Sequence, residues 1–216
     1  DPEKVSWDEK LIETLIPQIE SFSLIGGVAI SQAGAKINIG KGSQIYGDSF
    51  NAMATSIINA STSPVGLGIG VAVGIGDSTA EIIVNGKIIT TGDLNLKSLA
   101  DNTLQVVGSA NTAIKGIDAG VAVSVLNSKS LVQISKDSEL NVGGNLNIQA
   151  KTIDRNYTLA RSVVSEDGKL GIAAAVSYEY GTTEAYLDGK ADVMGDIIIN
   201  ALMEKEVLSS GKFFTF

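Results

Sequence analysis

Residues 65–76 read VGLGIGVAVGIG, and glycine or alanine alternates with a branched aliphatic residue throughout this stretch. An alternation of period two is typical of a β-strand, in which successive side chains point to opposite faces. About a dozen residues are too few for a transmembrane helix, which needs ~20. No GK[ST] follows, and no strand–turn–helix pattern surrounds the glycines, as a nucleotide-binding loop requires. The stretch is therefore predicted to be a strand.

The two faces of this strand differ. We expect the aliphatic residues Leu67, Ile69, Val71, Val73 and Ile75 to point into the core, because such side chains are most often buried. The small residues would then form a flat outer strip that another backbone approaches closely, and we expect the N-terminal segment or another copy to cover it. This candidate docking strip comprises Gly27, Ala29, Gly68, Gly70, Ala72, Gly74, Gly120, Ala122, Ala173 and Ala175.

The stretch belongs to a unit that occurs four times. The GVAV at 70–73 recurs as GVAI at 27–30, GVAV at 120–123 and, in degenerate form, AAAV at 173–176. A second mark follows each copy after 19 to 23 residues: GDSFNA from Gly47, GDLNLKS from Gly92, GNLNIQA from Gly144 and GDIIINA from Gly195. Tandem repeats are therefore predicted at 24–66, 67–116, 117–169 and 170–201.

Strands are predicted every 8 to 12 residues with no helical pattern between them, so the fold class is all-β. A sandwich or barrel fits this spacing but needs no repeated motifs. A parallel β-helix does need them, because each core position stacks on a similar position in the next coil. The spacing near 21 predicts two coils per repeat, and eight coils ~4.8 Å apart give a rod of about 40 Å.

The two ends depart from the repeat. Residues 1–23 are predicted to form a helical cap or brace, with a partner-binding amphipathic helix as the alternative. The apolar residues of this segment recur at intervals of three and four: Leu11, Ile12, Leu15, Ile16, Ile19 and Phe22. Residues 202–216 have lost the pattern, and we expect an irregular tail or the start of a further segment.

Composition narrows the chemistry. The formal net charge is −8, and the 16 basic residues are scattered, which argues against nucleic acid as a partner. The chain has no Cys and no His, so thiol nucleophiles, the commonest general base and the commonest metal ligand are absent. We predict a protein that is not an enzyme, with no catalytic residue, no cofactor and no metal.

One carboxylate group is the candidate site of the enzyme alternative, a β-helix lyase or hydrolase. Such an enzyme needs clustered Asp or Glu with a nearby base or charge stabiliser. The best cluster is Glu184, Asp188, Asp192 and Asp196, with Lys190. These residues alternate with apolar residues, and we expect a solvated outer face instead.

Three polar or aromatic sets recur or cluster. Asp48, Asp93 and Asp196 occupy one repeat position, held by the Asn of Gly-Asn in the third copy, and we expect them to cap turns instead of binding calcium. Neighbouring asparagines are predicted to form a hydrogen-bonded ladder: Asn51, Asn95 and Asn147. The tyrosines of the last repeat are a candidate contact patch for carbohydrate or protein: Tyr178, Tyr180 and Tyr186.

The marks GDLNLKS and GNLNIQA resemble the G-[DN]-L-x-L-x-[AS] signature of filamentous-haemagglutinin-type exoproteins. Together with segments such as GVAVSVLNSKS, they make the chain similar to the repeat region of leukotoxin-like large bacterial exoproteins. The resemblance covers residues 24 to about 201. It implies a right-handed parallel β-helix, secreted through an outer-membrane transporter or an autotransporter barrel and then displayed on the cell surface or released.

The expected function is mechanical. A rod of this kind would extend, display and contact surfaces, with a host cell-surface protein or glycan as partner and a role in virulence. No functional residue transfers from the family, because the matching residues are core and turn residues. A cytotoxin segment that itself engages host membrane or receptor is a further alternative.

Overall fold

The computed structural model describes residues 23–111, 117–164 and 170–215. These ranges contain β-strands and no helix. The strands are β1 Ser23–Ile39, β2 Gln44–Gly47, β3 Phe50–Thr62, β4 Val65–Gly66, β5 Gly68–Val84, β6 Lys87–Thr90, β7 Leu94–Asn111, β8 Ile117–Ile134, β9 Glu139–Val142, β10 Leu146–Val164, β11 Leu170–Leu187, β12 Lys190–Val193 and β13 Ile197–Thr215.

The strands form three parallel sheets. Sheet A contains β1, β5, β8 and β11 in that order, sheet B contains β2, β6, β9 and β12, and sheet C contains β3, β7, β10 and β13. The short β4 pairs with β7 at the margin of sheet C. Three consecutive strands, one from each sheet, make a layer: layer 1 is β1–β3, layer 2 β5–β7, layer 3 β8–β10 and layer 4 β11–β13. The all-β prediction is confirmed.

Each sequence repeat forms one layer, so the prediction of two coils per repeat is wrong. The GVAV marks lie in sheet A, whereas the second marks lie at the turn from sheet B into sheet C of the same layer. The spacing of about 21 residues between the two marks is therefore the length of chain that leads from sheet A to the start of sheet C within one layer. Four layers at ~4.8 Å span three steps, or about 14 Å, in place of the predicted 40 Å. In the first repeat the register also differs by two residues, because Val28 pairs with Val73 instead of Val71.

The interior has a wide part and a thin part. In the wide part all three sheets enclose an aliphatic core whose members include Ile82, Ile88, Leu96 and Leu140, each fully buried. In the thin part only sheets A and C face each other, and small residues such as Ala72, Ala122 and Ala160 fill much of the space. The cross-section therefore narrows away from sheet B.

The sidedness of the opening stretch is the reverse of the prediction. Its glycines and Ala72 are buried, whereas Leu67 is 51% and Ile75 39% exposed. The cause is the separation of the sheets. A Cβ added to Gly70 would lie well within 3.0 Å of the Ser109 carbonyl oxygen on sheet C, a distance that real Cβ atoms essentially never show. Glycine is inside at Gly70 because no side chain fits between the two backbones there, whereas at Gly74 the Val106 and Leu104 side chains fill the space.

The predicted ends have different outcomes. The predicted helical segment, residues 1–23, lies outside the described residues except for Ser23, which begins β1. The predicted irregular tail is wrong for residues 202–215, because they continue β13. That strand pairs with β10 in parallel from Leu146–Ile197 to Val164–Thr215. The strand can continue because the backbone of β10 presents N–H and C=O groups at its edge along its whole length. Backbone pairing of this kind does not require the side chains of the repeated marks.

Candidate interaction surface

The outer face of sheet A carries aliphatic side chains in columns that run across the layers. One column consists of Val28, Val73, Val123 and Val176, which pair directly between neighbouring strands. We define the apolar face as this column and three others, which start at Leu24, Gly26 and Ile30 of layer 1 and end at Ile172, Ala174 and Tyr178 of layer 4. The face exists because the opposite side of the same strands must be small.

The apolar face is large for a surface feature and uncharged. Its four columns are ~6.6 Å apart and its four strands ~4.8 Å apart, which gives roughly 500 Å². None of its sixteen positions is Asp, Glu, Lys or Arg. In the end layers its side chains are strongly exposed, with Val28 and Ile30 each at 67% and Val176 at 56%. Patches of this size on soluble proteins often mark interaction sites.

The far half of sheet A carries charge on the same outer face. Glu81 binds two lysines, with Oε2 3.0 Å from Lys36 Nζ and Oε1 2.6 Å from Lys129 Nζ. The hydrogen bond from Lys129 lowers the pKa of Glu81, and Lys36 acts in the same direction, although desolvation of the carboxylate opposes both. This triad limits the apolar face on one side.

The predicted docking strip is not on the surface. Six of its members are buried between sheets A and C: Gly68, Gly70, Ala72, Gly74, Gly120 and Ala122. The other four are half-buried because they lie in the end layers: Gly27, Ala29, Ala173 and Ala175. A backbone does approach the strip closely, as predicted, but it is sheet C of the same chain. The strip is therefore not a surface through which two copies could associate, contrary to the prediction.

Two of the three predicted tyrosines come together. Tyr178 and Tyr180 are 59% and 53% exposed on layer 4, and their ring centroids are 6.3 Å apart with a tilt of 46°. Tyr186 is half-buried and lies six residues further along β11, about 20 Å away. Tyr178 is the layer-4 end of one column of the apolar face and Tyr180 lies two residues further along β11, whereas Tyr186 does not contribute to the same patch.

The predicted carboxylate cluster is dispersed around layer 4. Glu184 is on the outer face of sheet A, Asp192 on β12 of sheet B, and Asp188 and Asp196 in the turns on either side of β12. All four side chains are exposed, as is Lys190. Among the described residues, no group of three or more Asp or Glu side chains is placed to hold a metal ion.

Two of the recurring turn residues, Asp93 and Asn145, cap backbone amides as predicted. Asp93 Oδ1 accepts a hydrogen bond from the backbone N–H of Asn145 at 2.8 Å. Asn145 Oδ1 in turn accepts one from the N–H of Asp196 at 2.9 Å. In layer 1, Asp48 Oδ1 accepts a hydrogen bond from the Thr91 hydroxyl at 3.2 Å. Each cap thus joins one layer to the next.

The predicted asparagine ladder forms in part. Asn51, Asn95 and Asn147 are direct neighbours in sheet C. Asn95 Nδ2 donates to Asn51 Oδ1 at 2.8 Å. The Asn147 side-chain oxygen, by contrast, has no hydrogen-bond partner among the described residues. One rung of the ladder is therefore present.

The sequence reasoning missed a polar seam inside the thin part. The buried Asp154 carboxylate accepts hydrogen bonds from Asn102 Nδ2 at 2.7 Å and from the Ser128 hydroxyl at 2.5 Å. In layer 4, Lys205 Nζ lies 3.2 Å from Glu179 Oε1, and the Glu179 side chain is only 4% exposed. The sequence feature that could have revealed this seam is a charged residue, such as Asp154 or Glu179, at an inward position of an alternating strand.

Burial is the main influence on the Glu179 carboxyl. It raises the pKa of Glu179, and the nearby Asp154 charge acts in the same direction, whereas the bond to Lys205 opposes both. The interior of layer 4 thus contains a charged pair, whereas the corresponding inner position of layer 1 is the apolar Ile58.

Within the described residues there is no helix of a length and apolarity that would cross a membrane. Comparison of the chain with protein-family models, with curated proteins and with solved structures found no match.

Proposed function

We propose that this chain is a rod segment of a right-handed parallel β-helix from a large secreted or surface-displayed bacterial exoprotein of the adhesin or leukotoxin type. Its role is to extend and display the parent protein and to contact a host cell-surface protein or glycan, without catalysis. Secretion through an outer-membrane transporter of the parent protein and a role in virulence belong to the same proposal. The resemblance of the sequence marks supports these points.

The observation that carries the proposal is the stacking of one repeat per layer, in which, among the described residues, the strands of layers 1 and 4 are paired on one side only. Strands β1, β2 and β3 form one edge, and β11, β12 and β13 form the other. Core residues at these ends are only partly buried, among them Ile37 and Phe50 in layer 1 and Leu187 and Val193 in layer 4. Further layers of the same kind would pair both edges and cover these side chains.

The proposed contact region is the exposed tyrosine pair at the layer-4 margin of the apolar face, which includes Tyr178. Tyrosine offers a rigid ring and a hydroxyl, a combination that is common in protein and carbohydrate recognition. Tyr178 and Tyr180 leave more than half of their surface free. The solvated, dispersed carboxylates of layer 4 give little support to the lyase or hydrolase alternative.

The test is binding of the fluorescently labelled chain to host epithelial cells and leukocytes, measured by flow cytometry. We expect saturable binding without lysis, and its loss in the double variant Tyr178→Ser, Tyr180→Ser. Tyr46→Ser is the matched control, because Tyr46 is 64% exposed and lies in β2 of sheet B.

Three outcomes would contradict the proposal. If the chain binds to none of the cell types, it does not have the proposed contact role. Lysis of leukocytes or leakage from liposomes would favour the cytotoxin alternative. Cleavage of a glycan by the purified chain would show that the segment is catalytic.

A further inference from the structure

We propose that the apolar face of sheet A is a self-association surface, through which two copies of this chain pack side by side. This interface would lie along the length of the stack. It is distinct from the proposed stacking of further layers on β1–β3 and β11–β13 and does not depend on the secretion proposal, although it shares Tyr178 with the proposed host-contact region.

The two outer faces of the same molecule differ in chemistry. On sheet C, outward side chains form ion pairs across the layers: Arg155 Nη1 lies 2.8 Å from Asp101 Oδ1, and Lys151 Nζ lies 2.9 Å from Glu204 Oε1. That face is an ordinary solvated sheet surface. The apolar face has no charged position, and covering it removes aliphatic area from water, which is favourable.

A second copy is the occupant that fits the repeat. Every layer contributes four positions to the apolar face, so the surface advances in steps of ~4.8 Å. A partner with the same step and the same columns can meet it in every layer. The segment that precedes Ser23 occurs only once in the chain, whereas the face recurs in each repeat.

Charge does not oppose a contact through the apolar face. Two copies that each carry a net charge of −8 repel one another over most of their surface. At the apolar face no like charges oppose each other, and the Lys36–Glu81–Lys129 triad lies beyond its margin. Two such faces would together bury roughly 1,000 Å², near the lower end for specific interfaces, so a reversible dimer is expected.

The first test uses cysteine cross-linking, for which the chain is suited because it has no native Cys. Val123→Cys places a thiol on the apolar face, and Val107→Cys is the matched control on the outer face of sheet C. We expect oxidation to give disulfide-linked dimers of the first variant only. Equal cross-linking of both variants would overturn the proposal.

The second test is sedimentation velocity of the full chain over a range of micromolar concentrations. Ile75→Glu should raise the dimer dissociation constant about tenfold or more, because a charge would be buried at the contact. Ile57→Glu, at a position 63% exposed on sheet C, should leave it unchanged. Circular dichroism checks that both variants fold, and the cysteine test remains decisive if one does not.

Two results would assign the face to another occupant. A chain that sediments as a monomer at every concentration would exclude the dimer. A monomer in which Leu15→Cys and Val123→Cys form an intramolecular disulfide would show that the chain's own N-terminal segment covers the face.

Discussion

Replacement of Gly70 by alanine should destabilise the protein far more than its size suggests. Gly70 lies in β5 and faces sheet C, where an added Cβ would meet the carbonyl oxygen and carbon of Ser109 and the backbone N of Gly66. All of these are backbone atoms, so no flexible side chain can move aside. The two sheets would have to separate locally by about 1 Å or more to restore van der Waals distances.

The expected magnitude follows from this conflict. Overpacking of a core typically costs about 1–3 kcal/mol, and a clash with fixed backbone belongs at the upper end, about 3 kcal/mol. Gly34→Ala is the matched control in the same sheet, because Gly34 faces outward and its nearest atom, the Thr79 carbonyl oxygen, is 3.9 Å away. That change should be neutral or stabilise by up to ~1 kcal/mol, since alanine restricts the unfolded chain.

The assay is urea unfolding followed by far-ultraviolet circular dichroism, with the free energy of unfolding from linear extrapolation. We expect Gly70→Ala to unfold at a clearly lower urea concentration than Gly34→Ala, with a similar slope. Equal stability of the two variants would refute the inward orientation of the small residues. It would also restore the interpretation in which the glycines face solvent.

Four further variants test other parts of the structure by the same unfolding assay. Ile82→Ala should cost about 2–5 kcal/mol because Ile82 is fully buried, whereas Ile75→Ala should cost under ~1 kcal/mol; similar losses would contradict the assigned faces. Glu179→Gln should be more stable than the natural chain at pH 8, with the difference disappearing by pH 4. The reason is that the raised pKa of Glu179 favours the protonated native form, whose contribution is lost as the pH rises through that pKa; a gap that does not change with pH would contradict this. Asp93→Ala should lower the free energy of unfolding by about 1 kcal/mol through loss of the hydrogen bond from Asn145 N–H. An unchanged stability would show that this cap does not stabilise the protein.

Sequence alone located the repeat and much of its internal register. The alternation at 65–76 predicts a strand, and the recurring Gly-Asp or Gly-Asn pairs predict turns that stack on one another. Both predictions rest on local chemistry: side chains alternate in an extended chain, and Asx side chains accept hydrogen bonds from backbone amides. Hence the caps from Asp93 and Asn145 could be foreseen without coordinates.

Sidedness could not be predicted in this way. Alternation shows that a strand has two faces, but the distance to the opposing sheet decides which face is inside. Where sheets A and C nearly touch, at Gly70 and Gly120, the smaller face must be buried even though the larger is more apolar. In the wide part of the interior the larger aliphatic side chains are buried, as is usual in proteins, and Ile82 and Ile88 are inside.

The number of coils per repeat could not be predicted from the sequence for a related reason. Two unlike marks at a steady spacing suit either two stacked coils or two sheets of one coil, and only the pairing of strands separates these cases. The inward charges Asp154 and Glu179 were missed because a mixed polar interior leaves no periodic apolar signal.

The central claim, that one repeat makes one layer, can be tested by a single distance. Nitroxide labels at Val28→Cys and Val176→Cys would lie in one column of outward side chains, in layers 1 and 4. Electron paramagnetic resonance on monomeric chain, diluted with unlabelled protein, should give a distance of about 14 Å, which is three steps of ~4.8 Å. A distance near 29 Å, six such steps, would mean two coils per repeat and would contradict the account.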